Sequence, residues 1–205
     1  MEQRSPEWFA ARLGKVTASR VADVVAKTRS GPAANRANYE AELIVERLTG
    51  EPAPRFTTVA MEWGTETEAQ ARETYAFLRA VEVAEVGFVS HPSIAMSGAS
   101  PDGVVGDDGL VEIKCPNTAT HLATILGESA PEKHVTQMQW QMACTGRLWC
   151  DFVSFDPRLP EHLAMFVHRV ERDADRITFL EAEVRAFLGD LDAKVARLSA
   201  LAEAA

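Results

Sequence analysis

Ser100-Pro101-Asp102-Gly103-Val104-Val105-Gly106-Asp107-Asp108-Gly109-Leu110-Val111-Glu112-Ile113-Lys114-Cys115-Pro116 is the stretch on which the reading of the fold turns. Two valine-containing runs flank an Asp-Gly turn, the composition of a β-hairpin. Pro116 ends the second run, because proline cannot donate to a strand ladder. Side chains alternate along a strand, so Glu112 and Lys114 share one face while Val111 and Ile113 share the other. The apolar pair is expected in the core and the charged pair in an open cleft. Asp102, its approach fixed by Pro101, is expected to come close enough to Glu112 across the hairpin to share one divalent ion.

Oxygen-only ligation suits Mg2+, which keeps several waters and binds through one or two carboxylates plus phosphate oxygens; Mn2+ is expected to substitute. An ammonium at Lys114 would then orient or deprotonate the attacking water and stabilise charge in the transition state. This division of labour suits phosphodiester hydrolysis. A Glu-x-Lys alone is usually a solvated ion pair, and a Pro-Asp-Gly usually a turn. The weight lies in their occurring together, in order, on one hairpin.

Outward from the hairpin, the pattern is mixed. Ser5-Pro6-Glu7 reads as a helix start, with Gly14 stopping the helix and Thr17 or Ser19 capping a second. Thr28 to Pro32 has loop composition. Helices are expected at Arg36–Leu48 and about Ala60–Arg79, Thr118–Leu126 and Pro131–Thr145. Strands are expected at Val81–Ser90, Ile94–Ala99, Trp149–Phe155 and Leu163–Val170. Asp173 is expected to cap a long C-terminal helix. No repeat and no long linker divides the 205 residues. The expectation is one α/β domain: a helical part over 1–80, a sheet core over 81–172 and a C-terminal helix over 173–202.

The formal net charge of −9 argues against a wholly basic, nucleic-acid-coating surface. The charge is uneven, however. Between Ala11 and Asn38, Arg12, Lys15, Arg20, Lys27, Arg29 and Arg36 face a single acid, Asp23. A confined DNA path is the expectation. Cys115, Cys144 and Cys150 lack CxxC spacing and an even count, which argues against a disulfide framework, a structural zinc site or a four-cysteine iron–sulfur cluster. The five histidines show no HExxH spacing. No signal-like N-terminus or membrane-length apolar run is present in the sequence, so the cytoplasm is the expected compartment.

Several separated motifs occur in the order of a known family. They are Trp8 with Arg12-Leu13-Gly14-Lys15-Val16-Thr17-Ala18-Ser19, then Ala26-Lys27-Thr28-Arg29-Ser30-Gly31, then Trp63-Gly64-Thr65-Glu66-Thr67-Glu68. The Ser100–Pro116 block, Thr136-Gln137-Met138-Gln139-Trp140, Phe155-Asp156-Pro157-Arg158 and Val170-Glu171-Arg172-Asp173 follow. Together they resemble the phage lambda exonuclease family, the alkaline exonucleases of the PD-(D/E)xK superfamily. The resemblance implies a restriction-endonuclease-like core, a mixed sheet flanked by helices. It implies a 5′→3′ exonuclease acting on linear double-stranded DNA, releasing 5′-mononucleotides and leaving 3′ tails for recombination.

The same resemblance implies further roles. Glu68 completes the metal site, directly or through water, and the Ile113 backbone carbonyl is a third protein ligand. Gln137 positions water or phosphate. Arg12, Ser19 and Ser100 grip a 5′-terminal phosphate, while Arg29 and Met61 separate the strands. A homotrimeric ring and a single-strand-annealing recombinase partner are also implied. Two alternatives stay open on the sequence: a structure-specific endonuclease of the same fold, and a non-catalytic DNA-binding module.

Overall fold

The structure, a computed structural model, describes residues 2–29, 31–54 and 58–203, apart from the side chains of 60, 61, 202 and 203. In chain order the elements begin with α1 (Pro6–Arg12), β1 (Val16–Thr17), α2 (Val21–Val25), β2 (Lys27–Thr28), β3 (Gly31–Pro32), α3 (Ala34–Thr49) and α4 (Val59–Arg79). The strands β4 (Val83–Ala84), β5 (Val89–Ser90), β6 (Ser97–Ala99), β7 (Gly103–Val105) and β8 (Gly109–Lys114) follow. The chain continues through α5 (Thr118–Gly127), α6 (Glu132–Thr145), β9 (Trp149–Phe155), α7 (Glu161–Ala164), β10 (Met165–Glu171) and α8 (Ala174–Glu203).

The main sheet has five strands in the order β10-β9-β8-β7-β4. All its pairings are antiparallel except β8 with β9, where Glu112 lies opposite Phe152 and Lys114 opposite Ser154. This mixed sheet between helices is the expected restriction-endonuclease-like architecture. The alternation of β8 sets its two faces. Val111 and Ile113 pack with Val153, Phe155 and, from α4, Ala71 and Tyr75. Leu110 packs on the other face with Met138, Met142 and Ala143 of α6 and with Phe152. A second, three-stranded sheet, β1-β6-β5, closes over α6 and α8 through a core that includes Val16, Tyr39, Trp140 and Phe187.

Several local expectations need correction. Val81–Ser90 is not one strand: β4 joins the five-stranded sheet and β5 the three-stranded sheet. The change of sheet falls at Gly87, and Gly98, opposite Ser90, leaves the space that Phe88 occupies; a Cβ there would meet its ring. Strand β6 is shorter than expected because Ile94 belongs to the turn before it, where its carbonyl accepts from the Ser97 N–H. Neither Thr17 nor Ser19 caps a helix with its side chain; a short 3-10 turn, Ala18–Arg20, leads into α2 instead. The loop from Thr28 holds the small β2–β3 hairpin. The caps at the two ends of the chain do form. Ser5 Oγ accepts from the Trp8 N–H at 3.2 Å, and Asp173 Oδ1 accepts from the Arg176 N–H at 2.9 Å.

Candidate active site

Strand β8 carries two of the candidate residues and β7 is preceded by the third. Gly103 makes the approach possible, since a Cβ there would press into Val83 and Val111. Asp102 then folds back across the hairpin, and its Oδ2 accepts from the Ile113 N–H at 2.7 Å. In a strand a residue directs its N–H and C=O to the same side, so the Ile113 carbonyl faces the Asp102 side too.

Glu112 lies on the opposite strand face from Ile113, under α6, and is fully buried. The open cleft expected for it is not what forms. Helix α6 is buried over Thr136–Cys144 because it stands between two cores. Its glutamines must therefore find partners. Gln137 Nε2 donates to Glu112 Oε1 at 2.6 Å, and Gln141 Nε2 donates to Glu112 Oε2 at 2.5 Å. Lys114 Nζ pairs with the same Oε1 and keeps a third of its side chain exposed. Gln141 is a residue the sequence reading missed. The signal was there: Gln137 and Gln141 are four apart and share a helix face.

Charge at this corner is unbalanced. Burial pushes the Asp102 carboxyl above the usual carboxylate range, and Glu112 and Glu68 push it further, against Lys114 and the Ile113 N–H. Burial works to lower the Lys114 ammonium, but Glu112 and Asp102 outweigh it, and the lysine holds its proton above its ordinary range. On α6, burial pushes His134 down to about 3, with Lys114 and Lys133 adding to the effect. Its ring stacks on Phe152 with centroids 5.5 Å apart.

Glu68 projects from α4 toward this cluster. Arg72 Nη2, one helical turn away, donates to its Oε1 at 2.8 Å, and Arg4 Nη2 donates to its Oε2 at 2.8 Å. Neither arginine was singled out from the sequence. The Glu68–Arg72 spacing was readable as a helix pair; Arg4 arrives from 64 residues away and left no local signal.

A hard divalent ion fits these donors. The Asp102 carboxylate before β7, the Glu112 carboxylate on β8 and the Ile113 carbonyl lie around one end of the hairpin, and a cation there would offset the Glu112 and Glu68 charge that adds to burial in raising Asp102. Among the described residues no three His, Cys, Asp or Glu side chains converge closely enough to enclose an ion. Mg2+ needs no such cage, because waters and phosphate oxygens complete its shell.

The other candidates divide. Ser100 Oγ receives the Trp8 indole N–H at 2.9 Å and Arg12 Nη1 at 3.2 Å, and the Arg12 guanidinium lies 4.1 Å over the Trp8 ring. Arg12, Lys15 and Thr17 line a cavity of about 360 Å³. Ser19 is exposed and reaches this group through Thr17, with the two hydroxyls 3.4 Å apart. Arg29 is exposed on the β2–β3 turn. The Met61 side chain lies outside the described residues. Several basic residues counted along the sequence prove to be paired: Arg20 with Asp23 and Glu42, Lys27 with Glu183, and Arg36 with Asp190.

Comparison with known proteins gives the family. The sequence matches the YqaJ-like viral recombinase domain family over residues 7–148. The crystal structure of an alkaline exonuclease, LHK-Exo, from Laribacter hongkongensis is 54% identical, with a TM-score of 0.91 over 97% of this chain and 98% of that one. The structure of LHK-Exo in complex with dAMP gives the same identity and coverage and a TM-score of 0.92. A phage-related exonuclease from Haemophilus somnus 129PT shares the fold at 16% identity, with a TM-score of 0.69 over 90% of this chain and 96% of that one. No curated protein matches the chain. With most of its length inside the family match and nearly all of it superposable on LHK-Exo, the chain belongs to the YqaJ-like viral recombinase family, the lambda exonuclease group, and is an alkaline-exonuclease-like nuclease.

Proposed function

We propose that the chain is a Mg2+-dependent 5′→3′ exonuclease that hydrolyses one strand of linear double-stranded DNA. It releases 5′-mononucleotides and leaves 3′ single-stranded tails for recombination. The observation that carries this reading is the convergence of Asp102, Glu112 and Lys114 at one end of the β7–β8 hairpin. The complex of LHK-Exo with dAMP supports it, since a deoxynucleoside monophosphate is the product class.

Asp102, Glu112 and the Ile113 carbonyl would hold Mg2+, with Glu68 acting through water. When bound, the ion supplies positive charge to the reacting phosphate oxygens. Gln137 and Gln141 fix both oxygens of Glu112, so that carboxylate does not rotate away during turnover. Lys114 would orient or deprotonate the attacking water and stabilise charge developing on phosphate. Arg12 and Ser100, braced by Trp8, would present donors for a 5′-terminal phosphate, with Ser19 linked to them through Thr17. Arg29 and Met61 remain the proposed strand-separating pair.

A homotrimeric ring would keep an acidic chain on its DNA by topology, without broad electrostatic attraction. A single-strand-annealing recombinase is the proposed protein partner. Among the described residues no helix is long and apolar enough to cross a membrane.

Linear duplex labelled at either end, and covalently closed circles, test the reading in Mg2+. The 5′-end label should be released first as mononucleotide, and the circle should survive. Linearisation of the circle would show an endonuclease instead. Early release of the 3′-end label would reverse the proposed polarity.

A further inference from the structure

Gln3 and Arg4 reach residues around the candidate site, although they belong to neither the sheet nor the helices that build it. Gln3 Nε2 donates to two backbone carbonyls far along the chain, Val86 at 2.8 Å and Pro101 at 2.7 Å. The second carbonyl belongs to the peptide that leads into Asp102. The next residue, Arg4, donates to Glu68 on α4. Two adjacent side chains thus tie the turn carrying one candidate acid to the helix carrying another.

The backbone at Arg4 is left-handed, with φ of 67°. A non-glycine residue adopts that conformation at an energetic cost and holds it where surrounding contacts fix it. The Arg4 side chain is half exposed, so its pair with Glu68 contributes little to folding. A strained residue making an exposed pair is poorly explained by stability. It is explained by placement: with Arg72 on one Glu68 oxygen and Arg4 on the other, the carboxylate is gripped from both sides. Arg72 is itself braced by Glu85, whereas Arg4 is the arm that reaches in from outside.

We infer that Gln3 and Arg4 form a strap that sets the position of the Asp102 turn and the Glu68 carboxylate, making Arg4 a positioning residue that acts through Glu68. The inference rests on the nuclease reading above and deepens it. Arg4 is not assigned a contact with DNA.

Steady-state degradation of 5′-phosphorylated linear duplex by the full chain tests it, for wild type, Arg4→Ala, Arg4→Lys, Gln3→Ala, Glu68→Gln and the Arg4→Ala/Glu68→Gln double variant. Misplacing one catalytic group should lower kcat of Arg4→Ala and Gln3→Ala by about 10-fold with KM within about twofold. Arg4→Lys should recover part of the loss. The melting temperature of Arg4→Ala should stay within about 2 °C of wild type. The double variant should be no slower than Glu68→Gln alone, because nothing remains for Arg4 to position. Unchanged kcat in Arg4→Ala overturns the strap. So does a rise in KM that persists in the Glu68→Gln background, which would make Arg4 a DNA contact. A melting temperature that falls in step with activity would also overturn it, in favour of a purely structural role. A wild-type chain that degrades no DNA overturns the functional reading itself and the strap with it, and this outcome is distinguishable because it precedes any comparison of variants.

Discussion

At Asp102 the folded chain holds a part-buried carboxylate near Glu112 and Glu68, and the upward pull on its pKa is a stability cost near neutral pH. The sign follows from linkage. A carboxyl raised on folding loses its proton less readily in the folded state, so stability falls as pH rises above the unfolded value. Asp102→Asn removes the charge while its amide oxygen still accepts from Ile113. The metal-free variant should therefore melt at or above the wild-type temperature while cleavage falls by on the order of 10²-fold or more. Calorimetry with and without Mg2+, run beside a nuclease assay, checks both halves; a large loss of stability would show that Asp102 serves the fold. Lys114→Ala should lower the turnover rate by roughly 10²-fold with DNA binding kept, because an acid–base or charge-stabilising group works mainly in the transition state. A normal rate at saturating DNA would remove Lys114 from the chemistry. Asp102, Glu112 and Lys114 were legible in the sequence because a strand's alternation and a hairpin's turn are local rules. Arg4, Gln3 and Trp8 were not read as partners of this site, since they reach it across 64 to 98 residues.

Helix α6 shows where local rules run out. A helix with glutamines at 137, 139 and 141 reads as partly exposed, yet all three are buried and bonded. Packing between two cores overrides composition. The same packing turns the open cleft expected for Glu112 into a floor beneath α6. Removing Glu112 would strand Lys114 and two buried amides, so Glu112→Ala should cost about 3–5 kcal/mol of stability. Gln141→Leu removes one donor from the same carboxylate and should cost about 1–3 kcal/mol. Urea unfolding measures both, and wild-type midpoints in both would mean that this buried cluster is not formed. Strand limits were readable where valine and aromatic runs were long, as in Trp149–Phe155. They failed in 81–90, where two short pairings in different sheets share one valine-rich run. Alternation along that run carries no information about which sheet each half joins.

On the scale of the whole molecule, charge counted along the chain misled where tertiary partners intervened. Arg20, Lys27 and Arg36 looked like a basic stripe, but α3 and α8 supply acids to them. Sequence distance hid those partners. The folded molecule also carries an acid-sensitive histidine. His134 sits near 3 in the folded state against an ordinary 6.5, so the unfolded chain binds a proton there that the native chain refuses. Stability should fall as pH drops from about 6.5 toward about 3, by up to about 1.4 kcal/mol per pH unit from this group. Urea midpoints of His134→Gln should show a shallower slope than wild type over that window; parallel slopes would contradict the assignment. The proposed ring predicts a sedimenting mass about three times the 22.4 kDa chain. A monomer that still resects long DNA without release would contradict it. The most direct test of the central claim is degradation of 5′-phosphorylated linear duplex by wild type and Asp102→Asn, in Mg2+, in EDTA, and after Mg2+ is restored. The account predicts mononucleotide release by wild type in Mg2+, none in EDTA, full recovery on restoring the ion, and release by Asp102→Asn slower than wild type by on the order of 10²-fold or more in Mg2+. Wild-type cleavage that persists in EDTA, or an Asp102→Asn protein that cuts at the wild-type rate, would contradict it.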